Sequence, residues 1–143
     1  MMHVLIDTTV PLNVYLNGIQ KRPMSSESAQ VMVAPLLGKM IAYMTPTAFG
    51  NTYYFLQKNL PLTRANALAA DVLKVVRILP QLKSTFTAAL QSGWNDVEDA
   101  AQYMAAKRTS EISHICTNNG GDFEVPPGSS ITVVTPAALL TML

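Results

Sequence analysis

The sequence predicts an α/β fold: a central parallel sheet of four to five strands with helices on both faces. Three observations predict it. Short, strongly apolar runs recur along the chain: "HVLI" (3–6), "MIAYM" (40–44), "VRIL" (76–79), "HIC" (114–116) and "ITVV" (131–134). Longer runs between them carry apolar residues at helical spacing. Strands that are apolar throughout, separated by helices, belong to a parallel sheet buried on both sides. The 143 residues, 49% of them hydrophobic, suit one domain spanning 1–143 with a sizeable core.

Taken in order, "VLI" ends in Asp7, and a helix begins at once. Thr8 or Thr9 is placed to cap it, and Pro11 suits its first turn. The run 25–39 has Ala29, Met32, Val33, Leu36 and Leu37 at helical spacing, with Pro35 awkward inside it. After the second strand, Thr45-Pro46 signals a helix over 45–59. The run 62–76 is amphipathic, with Leu68, Ala69, Val72, Leu73 and Val76 on one face. Beyond "VRIL", a helix over 82–93 closes on Gly93. Another over 97–109 lines up Val97, Ala100, Ala101, Met104 and Ala105. Residues 117–130 form a polar loop rich in Gly and Pro, the longest structureless stretch. Thr135-Pro136 opens the final helix, 135–143.

Composition narrows the function classes. The net charge of +1 sets up no global field toward nucleic acid or membrane, so any such contact is local. Two adjacent basic pairs, Lys21 with Arg22 and Lys107 with Arg108, are the local candidates. One cysteine, Cys116, allows no internal disulfide and no Cys/His zinc spacing, which fits a reducing cytoplasm. Cys116 itself reads as a small core residue, and His3 and His114 as strand-start residues. No apolar run is long enough to span a bilayer, and no basic leader is expected at the N-terminus.

The acids carry the chemistry. Six of nine fall in three short segments: Asp7; Asp96, Glu98 and Asp99; Asp122 and Glu124. Asp7 lies at a strand end, Asp99 in a first helical turn, and Asp122 beyond the fourth strand. All three can meet at the carboxyl edge of one sheet, where open α/β sheets bind ligands. Converging carboxylates repel unless a cation neutralises them, and hard oxygen donors select Mg²⁺ or Mn²⁺. Such an ion activates water and clamps a phosphate oxygen, which suits phosphodiester hydrolysis. Each segment also has a plain reading. Asn95 with Glu98 makes a capping box, Asp122 is a turn residue, and Asp7 is a cap accessory.

Several segments, in this order, resemble the PIN domain family, including toxins of VapC type. "LIDTTVPLNVYL" is similar to the family's opening hydrophobic run and Asp-Thr-Asn. "TAFGNTYYFLQK" resembles its central helix, and "WNDVEDAAQYMAA" its Asp-Phe-Glu-Asp-Ala-Leu-Gln segment. "ICTNNGGDF" resembles the Thr-Arg-Asn-x-x-Asp-Phe segment, and "ITVVTPAALL" the closing strand and helix. The resemblance implies a three-layer α/β/α sandwich and a Mg²⁺- or Mn²⁺-dependent endoribonuclease acting on RNA. It implies Asp7, Asp99 and Asp122 as catalytic metal ligands, with Asp96 as an additional catalytic acid. It implies supporting roles for Thr8, Asn51, Thr117 and Asn119, an antitoxin partner, and a homodimer. Two positions depart from the pattern: Asn51 stands where many members carry an acid, and Thr9 where Asn usually supports the first Asp.

The alternative is a PIN-fold protein without catalysis that binds RNA or protein; Asn51 and Thr9 motivate it. A phosphoacceptor receiver fits poorly, because "VRIL" runs into Pro80 rather than an acceptor Asp. An Asp-x-Asp phosphatase is disfavoured by Thr8-Thr9, and a dinucleotide-binding domain by the lack of a Gly-rich turn after the first strand. Met32, Leu36 and Leu37, with Tyr53, Tyr54 and Phe55, exceed what one helix face buries, so they serve either the core or a partner.

Overall fold

The computed structural model describes residues 1–143. Its five strands form one parallel sheet: β1 (Met2–Ile6), β2 (Met40–Met44), β3 (Val76–Ile78), β4 (Ile112–Cys116) and β5 (Thr132–Val134), in the order β3-β2-β1-β4-β5. Seven α-helices cover it: α1 (Thr9–Tyr15), α2 (Ser25–Val33), α3 (Pro46–Asn59), α4 (Leu62–Val75), α5 (Lys83–Gln91), α6 (Val97–Lys107) and α7 (Pro136–Leu140). The three-layer α/β/α architecture expected from the sequence is the one observed.

The strand alternation sorts the core into two layers. Val4 and Ile6 face one side with Ala42, Met44 and Cys116, packed under residues of α1, α2, α3, α4 and α7 such as Val10, Val31, Ala48, Val72 and Leu139. Leu5 faces the other side with Ile112 and Ile115, packed against Tyr103, Ala105 and Ala106 of α6 and against Phe123 and Ile131. Ile112 and Ile115 share that layer although an odd residue separation should oppose them. The β1–β4 register supplies the reason. His3 pairs with Ile112 but Val4 with His114, so Ser113 is an extra residue, as in a bulge.

The helices are shorter than their sequence patterns, two of them by four residues or more. The run 25–39 stops being helical at Val33, two residues before Pro35, whose ring and missing N–H forbid continuation. A turn through Gly38, at φ +70°, then leads into β2. The last helix ends at Leu140 rather than 143. Thr45 and Thr135 cap α3 and α7 as expected, each accepting the N–H three residues on at 3.2 Å. Gly93, at φ +78°, follows α5 and takes the left-handed conformation that glycine favours. Gly120–Asp122 in the long loop form a single 3₁₀ turn.

The strand order reverses direction at β1. From β1 the chain builds outward through β2 to β3; the remaining strands lie on its other side. The crevice beyond the carboxyl ends of β1 and β4 is therefore the switch point of the sheet, where such folds place ligands. No helix is long and apolar enough to cross a membrane.

Ile115 is fully buried at the centre of β4. Ile115→Ala should lower stability by about 2–5 kcal/mol. Urea unfolding should show a lower midpoint with an unchanged m-value; an unchanged midpoint would contradict the packing described.

Candidate acidic site at the carboxyl edge of the sheet

Asp7 leaves β1 with its backbone N–H on the Cys116 carbonyl at 3.0 Å, so the ends of β1 and β4 are tied together. Its side chain is 5% exposed. A carboxylate so placed needs donors, and it has them. The hydroxyls of Thr9 and Thr117 each donate to Oδ2 at 2.8 Å, and the Gln102 amide donates to Oδ1 at 3.0 Å. Each hydroxyl is fixed in turn by a backbone amide: Asn118 N–H donates to Thr9 Oγ1 and Asn119 N–H to Thr117 Oγ1, both at 3.0 Å.

The two threonines after Asp7 do not cap α1. Thr8 occupies the N-cap position without a side-chain cap bond, and its hydroxyl donates across to the Ala48 carbonyl at 3.1 Å. Thr9 is taken by Asp7. The Asn-to-Thr departure thus keeps a donor on the first acid.

The remaining acids converge on the same hollow. A cavity of about 240 Å³ is lined by Asp7, Asp96, Glu98, Asp99 and Asp122, with Thr8, Thr9, Asn51, Phe55, Gln102 and Asn119. Asp96, rather than Asn95, caps α6: its carboxylate accepts the Asp99 N–H at 3.0 Å, a bond that a first-turn acid and the helix dipole favour. The Asn95–Glu98 capping box of the plain reading is absent. Asn95 N–H donates instead to Glu124, and Glu98 accepts from the Asn51 amide. Asp122 ends the 3₁₀ turn and is exposed, its N–H bonded to the Asn119 carbonyl. Asn119 therefore steadies Asp122 through its backbone, while its side chain lines the cavity. Thr117 lies behind the cavity wall, fully buried against Asp7.

Gln102 is the site residue that the acid pattern did not single out. Its amide bridges Asp7 and Asp99, at 3.0 and 3.4 Å, and its Oε1 is buried with no hydrogen-bond partner. Its spacing of three from Asp99 on one helix face is the signal that would have found it.

The electrostatics are unbalanced. No Lys or Arg lines this cavity. Burial, then the charges of Asp7, Asp96, Asp122 and Glu98, pushes the Asp99 carboxyl up to about 7. Burial and the charge of Asp7 likewise push the Cys116 thiol up to about 12, which makes it an inert core residue. Five carboxylates, one apolar side chain and no counter-charge form a donor set that fits a hard divalent cation. No three of them are gathered closely enough to be a ready-made ligand set.

A family model described as a PIN domain matches residues 3–120. No curated protein sequence matches the chain. Among solved structures, the chain is similar to the Mycobacterium tuberculosis VapC20, a Sarcin-Ricin loop cleaving toxin. Identity is 16%, the TM-score is 0.58, and the match covers 78% of this chain and 86% of that one. It is also similar to a chain of FitAB bound to an IR36 DNA fragment, at 19% identity and TM-score 0.61, covering 93% and 94%.

Asp99 is protonated in the fold below about 7 but ionised in the unfolded chain above about 4. Between those values the native state binds the extra proton, so its contribution to stability falls as pH rises. Metal-free protein should lose thermal stability from pH 4 to pH 7 more steeply than Asp99→Asn does. Parallel melting-temperature profiles for the two would refute this.

Proposed function

The chain belongs to the PIN domain family, and from that premise we propose that it is a metal-dependent endoribonuclease that hydrolyses RNA phosphodiesters. One observation carries the reading: five carboxylates line a single cavity at the switch point of the sheet, without a cation among its walls. Asp7, Asp99 and Asp122 would hold Mg²⁺ or Mn²⁺, with Asp96 beside them. The bound ion supplies Lewis-acid charge on the phosphate and a lower pKa for water.

The chain's own residues do the rest. Thr9, Thr117 and Gln102 hold the Asp7 carboxyl group oriented at the base of the cavity. The Asp99 carboxyl, pushed up to about 7, would have to give up its proton to serve as a ligand, because ligation requires the carboxylate. The Gln102 amide, bonded to both Asp7 and Asp99, holds the two carboxyl groups side by side. Asn51 brings no charge to the corner where many relatives carry an acid. Glu98, reaching over from α6 to the Asn51 amide, returns a carboxylate there.

The VapC20 toxin and the FitAB chain are neighbours in fold, and they support reading this chain as a toxin held by an antitoxin. Leu36 and Leu37, 64% and 63% exposed, together with Tyr54 and Phe55, offer apolar surface to that partner or to a second copy in a homodimer. A cytoplasmic setting accords with the single buried thiol. The second reading, RNA or protein binding without cleavage, draws on one observation: the Asn51 side chain is already engaged by Glu98.

Purified protein should cut structured RNAs in Mn²⁺ or Mg²⁺ and not in EDTA, and Asp7→Asn should abolish cutting while keeping the fold by circular dichroism. Cutting retained in Asp7→Asn would sink the assignment. Folded wild-type protein that never cuts would leave the binding reading. Glu98→Gln should weaken Mn²⁺ binding, measured by calorimetry, by roughly tenfold or more; unchanged affinity would remove Glu98 from the site.

A further inference from the structure

A second polar hollow, of about 230 Å³, adjoins the acidic cavity, with Thr9 and Asn119 lining both. Its character is opposite. Lys21 and Arg22 enter it, and its walls hold no carboxylate. Neither base is neutralised elsewhere, since the one ion pair of the chain is Lys74 with Asp71. The arginine is held in place rather than left free. Asn13, 4% exposed on α1, uses both ends of its amide on this segment. Its Nδ2 donates to the Pro23 carbonyl at 3.0 Å, and its Oδ1 accepts from Arg22 Nη1 at 3.3 Å. The Arg22 backbone N–H donates to Asn17 at 3.0 Å. After all this, Arg22 Nε is buried and has no acceptor. A buried guanidinium N–H without a partner is costly, and a planar fork beside an ammonium matches a phosphate oxygen pair.

The other basic pair is built differently. Arg108 donates to Ser84 and Thr85, and Lys107 ends α6, eight residues beyond Asp99 and so about 12 Å farther along the helix at 1.5 Å per residue.

We propose that Lys21 and Arg22 form an anion subsite that takes a backbone phosphate of a single-stranded nucleic acid, next to the one held over the acidic cavity. The subsite rests on the nuclease reading for its substrate, but it binds without the metal. It resolves the charge problem of that reading: the acids repel a polyanion, and the adjoining bases hold the strand across them.

The test is binding of labelled single-stranded RNA, and of DNA of the same sequence, in EDTA over 50 to 200 mM salt. Lys21→Gln, Arg22→Gln and the double variant are compared with Lys107→Gln. Each phosphate contact on a single strand contributes about 0.7 to the slope of log K against log salt. The double variant removes one such contact and should flatten that slope by about 0.7. RNA and DNA should respond alike, because the backbone is what is read, and Lys107→Gln should match wild type. Lys21→Gln touches no internal bond, so it reports even if Arg22→Gln perturbs the loop. Unchanged slopes in Lys21→Gln and in folded Arg22→Gln overturn the subsite, as does wild type that fails to bind. Loss confined to RNA overturns the backbone reading. Cleavage in Mn²⁺, assayed separately, fails if the nuclease reading fails, whatever the binding shows.

Discussion

A carboxylate buried at the end of the first strand is the constraint from which the surrounding structure follows. Asp7 has almost no contact with solvent, so its charge must be met by donors from the protein. They come from three places far apart in the chain: Thr9 beside it, Gln102 on α6 and Thr117 at the end of β4. Supplying them fixes the entry to α1, the approach of α6 to the sheet and the pairing of β1 with β4. The hydroxyls act as couplers, each donating a hydrogen bond to Asp7 and accepting one from a backbone amide of the following loop. Loop and strand end are thereby held in one network, and the loop also brings Asp122.

The five strands, the parallel sheet and the grouping of the acids at one edge were legible in sequence, because each is written in local pattern. Apolar runs mark strands, and Thr-Pro marks helix starts at Thr45 and Thr135. What failed to show was decided by contacts across the fold. The Ser113 bulge changes which face Ile112 takes, and a register with β1 cannot be read from β4 alone. The capping residue of α6 is Asp96, although Asn95 and Glu98 satisfied the capping box on paper; Glu124 and Asn51 had claimed their partners. Gln102 was hidden by its chemistry, since an amide among alanines carries no charge to attract notice. Pro35 was legible in kind, and the helix ended two residues ahead of it.

The neighbouring hollows show how a chain of net charge +1 is still strongly polarised locally. One wall of Thr9 and Asn119 separates five carboxylates from an unpaired lysine and arginine. Neither group cancels the other by direct contact. A larger apolar hollow of about 370 Å³, between α2 and α7, holds Val33, Leu37, Leu140 and Leu143 and has no comparable chemistry. Size and chemical capacity are separate properties of the surface here.

The pairing of β1 with β4 also sets an order of events during synthesis. Asp7 and Thr117 are 110 residues apart, and the three acids of α6 and its cap lie beyond residue 95. Contacts of such separation carry the largest loop-closure cost and form late in folding. A polypeptide released before α6 therefore has its first acid and none of its companions. The acidic cavity therefore comes together only once the residues from Asp7 through Asp122 are all in place, and shorter N-terminal pieces carry its first acid alone.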